Sequence, residues 1–518
     1  MKSQKILAAL LLAAMLLPAC NKTTGNTGTP GTSAPVTSGS ADTSTPEETT
    51  DPNARANHMD KLPADLNFNG TTIGILFRGT MSYLDGTKGG YWLINDVCGT
   101  DNIGDIVSDA VWERNKRVED RLGVKLDWVP TDGSSLDADK TVIRNVIMSA
   151  SEEYSCLLAT GNTSSGAGLN PYMRDMATIP YIDYESPWWW EFANEALSMD
   201  GKTRQFIVGD MLLTNLSQTG VTFFNKDIYR DIYGDPDELY QLTLDGGFTH
   251  DKLYELSSGA YKDANGDGVK DAGDIYGLLW SQGKSEELSH WFMGCDLDMY
   301  ELDDGKLTIT MNNDRTIAAI ESIYRLMNEN DGSVSSTTNL PGTTPMFSEG
   351  HALFFLQRLG TSATERLREM EQEYGILPAP KLDADQASYI SYVHDSGSVL
   401  GVPKHVSDEM FAVVGATLEA LCGEAHRTYI DAFLETALKM KYSRDALSGQ
   451  CIDIVMNTLR KNTLMEYGQY TANIISNCLY TPAKSNPSSF AASFRKVGPA
   501  AQKTWEKAVA NLQTAANQ

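Results

Sequence analysis

Between Thr71 and Thr160 the chain alternates short apolar runs with stretches of helical period, and this alternation constrains the fold more than any other feature. "TTIGILFRG" (71–79) is rich in β-branched residues and bounded by glycine, as a buried strand is. "DIVSDAVWERNKRVEDRLG" sets Ile106, Val107, Ala110, Val111, Val118 and Leu122 on one side of a helix, with Gly123 to stop it. "VKLDWVP" reads as the next strand, "DADKTVIRNVIMSAS" as an amphipathic helix and "YSCLLAT" as a third strand. Strand, helix, strand, helix, strand is the order of βαβ units, which require a mostly parallel sheet.

The pattern then restarts. "QFIVGDMLL" and "GVTFFNKDIY" read as strands, "THDKLYELSSGAY" as a helix and "IYGLLW" as a short strand. "NNDRTIAAIESIYRLMNEN" is a long helix expected to bury Ile317, Ile320, Tyr324 and Met327. "HALFFLQ", "EYGILPAP" and "GSVLGVP" are short apolar strands, and from Asp408 onward the period is mostly helical. The fold class is α/β: two lobes followed by a helical C-terminal region, with no internal repeat.

The N-terminus carries a different signal. "MKSQKILAALLLAAMLLPAC" has a charged start at Lys2 and Lys5, then an apolar run too short to span a bilayer comfortably. It ends Leu17-Pro18-Ala19-Cys20, like a bacterial lipobox, in which cleavage before the cysteine leaves Cys20 to carry a lipid. Residues 1–19 are thus expected to be a lipoprotein signal peptide. Residues 20–64 are expected to be a tether, because Thr23–Thr50 is Thr, Ser, Gly and Pro with almost nothing to bury. The expected location is extracytoplasmic, held at the membrane through the N-terminal lipid alone. A net charge of −26 argues against nucleic acid as a partner. Six further cysteines are scattered, with no C-x-x-C; Cys156 and Cys295 lie in apolar runs and read as buried thiols.

"YKDANGDGVKDAGDIYG" (261–277) spaces its oxygen ligands like a calcium loop. Asp263, Asn265, Asp267, the carbonyl of Val269, Asp271 and Asp274 occupy positions 1, 3, 5, 7, 9 and 12, with Gly268 at the sharp turn. Asp274 stands where Glu is usual. One loop with no second copy points to a structural Ca2+ rather than to a sensor.

No nucleophile elbow, zinc-protease helix or Walker A run is present, so the expectation is a protein that is not an enzyme. The aromatic clusters favour binding instead. Trp188, Trp189 and Trp190 follow Pro187; Tyr91 and Trp92 lie in a glycine-rich loop; Trp280 ends "YGLLW". Three consecutive tryptophans are not expected to face one core, and flat rings suit the C–H faces of sugars.

The chain resembles the extracellular solute-binding lipoproteins of bacterial ABC importers, family 1, the sugar-binding kind related to maltose-binding protein. The resemblance is carried by the lipobox, "AVWERNKRVEDRLGVKLDW", "GVTFFNKDIY", "MFSEGHALFF", "YGILPAPK" and "LEALCGEAHRTYIDAFLETALKMKYSRDALSGQCIDIV", in that order. It departs at Phe248, where many relatives carry Trp. It implies a two-lobe periplasmic-binding-protein-like fold (type II), with lobes joined by crossing strands near Thr214–Gly220, Pro380–Ser388 and Tyr429–Leu438. Lobe 1 would comprise 65–216 and 388–435; lobe 2 would comprise 217–387 and 436–518 and contain the calcium loop. It also implies a monomer that captures a carbohydrate in the cleft and delivers it to the permease subunits of an importer. Open α/β sheets place their crevices at the C-terminal ends of strands. On that ground the expected ligand-binding residues are Arg78, Tyr91, Trp92, Asn162, Asp210, Trp280, His394 and Asp395, with Trp189 and Trp190 added for their clustering. A secreted glycan-active enzyme, or a binding protein for a peptide or another solute, is the alternative.

Overall fold

The computed structural model describes residues 55–79, 96, 106–131, 135–281, 285–336, 340–430, 432–434 and 446–516. Cys20, Tyr91, Trp92 and the signal segment lie outside the described residues.

The first sheet is built as the alternation requires. β1 (Thr71–Phe77) pairs in parallel with β2 (Val124–Pro130) on one side and β3 (Cys156–Thr160) on the other. A late strand, β12 (Ser398–Gly401), closes the edge antiparallel to β3, with Ser398 opposite Thr160. The helix Ile106–Leu122 buries Val111, Val118 and Leu122, and Gly123 turns it at a positive φ of 59°.

A second sheet runs in the order β10 (Tyr374–Pro378), β4 (Gly220–Asn225), β9 (Ala352–Arg358), β5 (Tyr276–Ser281), β8 (Ser333–Ser336). Its strands β10, β4, β9 and β5 are mostly apolar because both their faces are covered, whereas the edge strand β8 is Ser-Val-Ser-Ser and half-buried from Ser333 to Ser335. Phe223 and Phe355 pack into one hydrophobic cluster, Phe224 and Phe354 into the other. A separate hairpin joins β6 (Tyr300–Asp303) to β7 (Lys306–Ile309). Between the sheets, β11 (Ser391–Tyr392) runs parallel to β13 (Leu459–Arg460), and Thr219 bridges Val393. The C-terminal region is helical, ending in the long helix Phe490–Ala516. Among the described residues no helix is long and apolar enough to cross a membrane. Cys156, Cys295, Cys422, Cys451 and Cys478 are buried free thiols, and burial pushes the Cys156 thiol up to about 12.

Three expectations need correction. "QFIVGDMLL" is not a strand. Ile207 bonds to Leu400 on the sheet edge, but Val208 O and Asp210 N–H then serve Trp190 and Trp188, so no ladder extends. Ile317 is 38% exposed. The buried stripe of Asp314–Asn328 runs through Thr316, Ile320, Ile323 and Met327, and Ile317 lies one residue, about 100°, off it.

The third concerns the tryptophan triplet, which does enter one core: Trp188, Trp189 and Trp190 are 1%, 4% and 7% exposed in the same cluster. They sit in an irregular turn with no fixed period, so successive rings are free to point inward. Two of the indole N–H groups find buried acceptors: Trp189 Nε1 donates to Glu419 Oε2 at 2.8 Å and Trp190 Nε1 to Asp210 Oδ1 at 2.6 Å.

Burial lifts the Glu419 carboxyl to about 7, against the lowering pull of the Trp189 hydrogen bond. A carboxyl raised in the folded state adds stability that is complete below its unfolded value and lost as pH rises through about 7. Glu419→Gln keeps an oxygen for Trp189 and cannot ionise. It should therefore raise the melting temperature at pH 8 relative to the parent and change it little at pH 4.5; equal shifts at both pH values would contradict the assignment.

Candidate functional site

β3 ends at Thr160, and the chain turns at once into the short helix Gly161–Gly166. That turn is tied to the segment entering β12: Gly161 N–H donates to Gly397 O and Asn162 N–H to Asp395 O, both at 3.0 Å. Asn162 Nδ2 lies 3.5 Å from Asp395 Oδ1, while Asn162 Oδ1 accepts from Thr160 Oγ1 at 2.7 Å. Two expected ligand-binding residues, 233 positions apart, thus meet at the C-terminal end of a central strand.

The facing wall comes from Leu464–Tyr480, where the chain widens into a π turn at Ser476–Tyr480. Such turns recur at functional sites. Together these segments enclose a recess of about 270 Å³, lined by Asn162, Ser165, Asp395, Asn473 and Ser476 among polar groups and by Leu464, Met465 and Tyr480 among apolar ones. Lys140 stands among the lining residues, from the helix Leu136–Met148. Mixed donors, acceptors and apolar surface suit a hydroxyl-rich solute.

Buried ionisable groups underlie the recess. His394 is buried, with Nδ1 2.9 Å from Asp395 Oδ1. Burial alone would raise the Asp395 carboxyl, but His394 and then Lys461 outweigh it and hold it below its ordinary value. Lys461 Nζ bonds Glu466 Oε1 at 2.7 Å with both side chains fully buried, and burial keeps the Glu466 carboxyl raised in spite of Lys461. His290 lies behind, its ring 6.0 Å from that of His394, and burial depresses it well below the usual histidine range.

The other expected residues are placed elsewhere. Arg78 follows β1 directly and turns its Nε to Asp139 Oδ2 at 3.3 Å, so it ties the end of β1 to the helix Leu136–Met148. Trp189, Trp190 and Asp210 border a second recess of about 300 Å³ with Arg55, Phe192 and His426. There both Asp210 oxygens are engaged, one by Trp190 and one by His426 Nδ1 at 2.6 Å. Trp280 is a correction: it is buried in the second hydrophobic cluster, because β5 is covered on both faces. Phe248 is likewise buried.

Sequence reasoning missed Lys140, Ser165, Glu466, Asn473 and Tyr480. One signal was present: "KNTLMEYGQYTANIISN" (461–477) is dense in polar and aromatic residues within an otherwise apolar helical region.

The calcium loop lies apart from both recesses. A bridge between Lys262 and Ile275 closes it, and Gly266 and Gly268 take positive φ. Asp263 accepts from Gly266 N–H and Gly268 N–H at 2.7 and 2.9 Å. Asp274 is buried at the base and accepts from Tyr261 Oη at 3.0 Å. Asp267 and Asp271 accept from Val269 N–H and Gly273 N–H, both at 2.7 Å. Among the described residues no three His, Cys, Asp or Glu side chains converge closely enough to hold a metal ion in this arrangement.

No family model matches the chain, and no curated protein matches it. Solved structures do. The galacto-N-biose/lacto-N-biose I-binding protein of an ABC transporter from Bifidobacterium longum, in complex with lacto-N-biose, superposes with a TM-score of 0.53 at 12% identity, over 86% of this chain and 98% of that one. An ABC substrate-binding protein from Listeria monocytogenes in complex with cycloalternan gives 0.50 at 11% identity, over 86% and 99%. The maltose/maltodextrin-binding domain from Bdellovibrio bacteriovorus bound to maltotriose gives 0.50 at 12%, over 85% and 100%. At these identities the likeness establishes the fold.

Placement of Trp280 in the core has a measurable consequence. Trp280→Ala should cost about 3–5 kcal/mol of stability through the cavity it leaves. Chemical denaturation checks this; a loss below about 1 kcal/mol would return Trp280 to the surface.

Proposed function

We propose, from a chain that folds as a two-lobe solute-binding protein of the maltose-binding type, that it captures a carbohydrate and hands it to an ABC importer. The observation that carries this reading is the meeting of Asn162, Asp395 and the 464–480 wall in one polar recess at the C-terminal end of β3. Ligand-facing groups belong there in open α/β sheets. The three neighbours named above carry saccharides by their descriptions. In this reading the protein works outside the cytoplasm, anchored by a lipid on Cys20. It acts as a monomer without catalysis, and its lobes close on the ligand to form the state the permease subunits read.

The test is a thermal-shift screen of oligosaccharides followed by calorimetry. A saccharide present at about a hundredfold its Kd should add about 2.7 kcal/mol to stability. A screen in which peptides raise the melting temperature and no saccharide does would reassign the ligand class.

The loop 263–274 is proposed to hold a structural Ca2+. Asp263, Asn265, Asp267, Val269 O, Asp271 and Asp274 are the residues that would hold it, and the Asp263 turn onto the Gly268 N–H sets the loop in the required direction. Binding would require the loop's carboxylates to draw closer together than they stand here. Chelation should lower the melting temperature, and Asp263→Ala and Asp267→Ala should each reproduce that drop. Saccharide affinity, measured where the protein stays folded, should hold; loss of affinity without loss of stability would make the ion part of the binding site.

A further inference from the structure

Glu466 has one carboxylate oxygen with a partner and one without. Oε1 accepts from Lys461 Nζ at 2.7 Å. Oε2 is buried and has no hydrogen-bond partner. It lies against the backbone of Gly161, where a Cβ would come within 2.2 Å of it, and Glu466 lines the recess beside Asn162 and Asp395. Buried polar atoms are nearly always satisfied. An acceptor left over in the wall of a recess has room in its hydrogen bonding for one more donor. The oxygen is sealed against Gly161 here, so that donor reaches it only as the wall shifts to admit a ligand.

The carboxylates around that oxygen already have partners. Lys461 is paired to Glu466, and His394 lies on Asp395. A cationic ligand group would be a second positive charge on a carboxylate that Lys461 holds. An anionic group would meet two carboxylates, Asp395 and Glu466, against one lysine, Lys140, whose ammonium already lies 3.4 Å from Asp137 Oδ1. A neutral donor meets neither penalty and completes the hydrogen bonding of Oε2. Asn162, Ser165, Asn473 and Ser476 supply further donors and acceptors without net charge.

We infer that Glu466 Oε2 accepts a hydroxyl of an uncharged saccharide, and that this recess selects neutral glycans over those bearing uronate or amine groups. This rests on the carbohydrate reading above.

Calorimetric titration of the full chain with maltotriose, lacto-N-biose, a galacturonate trimer and a glucosamine trimer tests it. At least one neutral sugar should bind tenfold or more tightly than either charged trimer. Glu466→Gln places an amide N–H₂ where Oε2 stood and keeps an oxygen for Lys461. It should weaken that neutral sugar at least tenfold. Should this variant fail to fold, the paired change Lys461→Met with Glu466→Met removes the buried charges together, a replacement cores tolerate. It should show the same loss of affinity. A charged trimer that binds as tightly as the neutral sugars, or full neutral-sugar affinity in a folded Glu466 variant, overturns the inference and leaves the carbohydrate reading standing. Failure of every saccharide, neutral or charged, overturns both.

Discussion

A seam of backbone hydrogen bonds between chain segments that pass from one sheet to the other holds the site together. His394 N–H donates to Gln218 O at 3.2 Å, Val393 N–H to Arg460 O at 2.8 Å and Ser391 N–H to Thr458 O at 2.9 Å. Three remote stretches are thereby fixed within one short ladder. Asp395 follows the ladder directly, Lys461 follows its third member, and Gly220 opens β4 just beyond its first. The seam tolerates no side chain at two points. A Cβ on Gly220 would lie 2.2 Å from His290 Nδ1, and one on Gly397 would lie 2.1 Å from Asn215 Oδ1. Close approach of a neighbouring side chain, rather than turn geometry, explains glycine at both positions.

How much of this was legible in the sequence divides along a physical line. Period is a local property, so β1, β2, β3 and the helices between them could be read from Thr71–Thr160 directly. The site depends on contacts across hundreds of residues. Asn162 and Asp395 could be guessed, because each stands at a strand end and strand ends are local. Glu466 could not, since nothing near it states that Gly161 will lie against it. The tryptophans misled for a related reason. Three rings in a row were expected to point apart whatever the backbone, but the irregular Trp188–Trp190 turn lets all three point inward, with buried acceptors on Glu419 and Asp210 supplied from elsewhere in the chain.

The calcium loop illustrates the opposite case, a feature whose position in the fold explains its separation from the recess. Its base is stitched to the second sheet. Tyr276, the first residue of β5, bonds Asp271 O through its hydroxyl at 2.8 Å. His351, just before β9, places Nδ1 3.0 Å from Asp274 O, and Tyr276 N–H donates to His351 O at 2.9 Å. Stiffening the loop therefore acts on the start of two central strands, whereas the recess lies at the end of β3 in the other sheet. An ion bound there has a direct route to stability and no direct contact with the candidate ligand.

A fully buried lysine–glutamate pair is a poor choice for stability alone, because desolvating two charges offsets most of their attraction. Its position supplies another reason to have it. Lys461 leaves the seam through β13 and Glu466 lies on the next short helix, Thr463–Glu466, so the pair spans the point where the chain turns from the seam to the recess wall. An apolar pair could fill the same volume in several rotamers. In the ion pair Oε1 lies on the ammonium and Oε2 lies against Gly161. A hydrophobic pair would offer no such oxygen, and under the proposed reading directional recognition of a hydroxyl depends on one held in place.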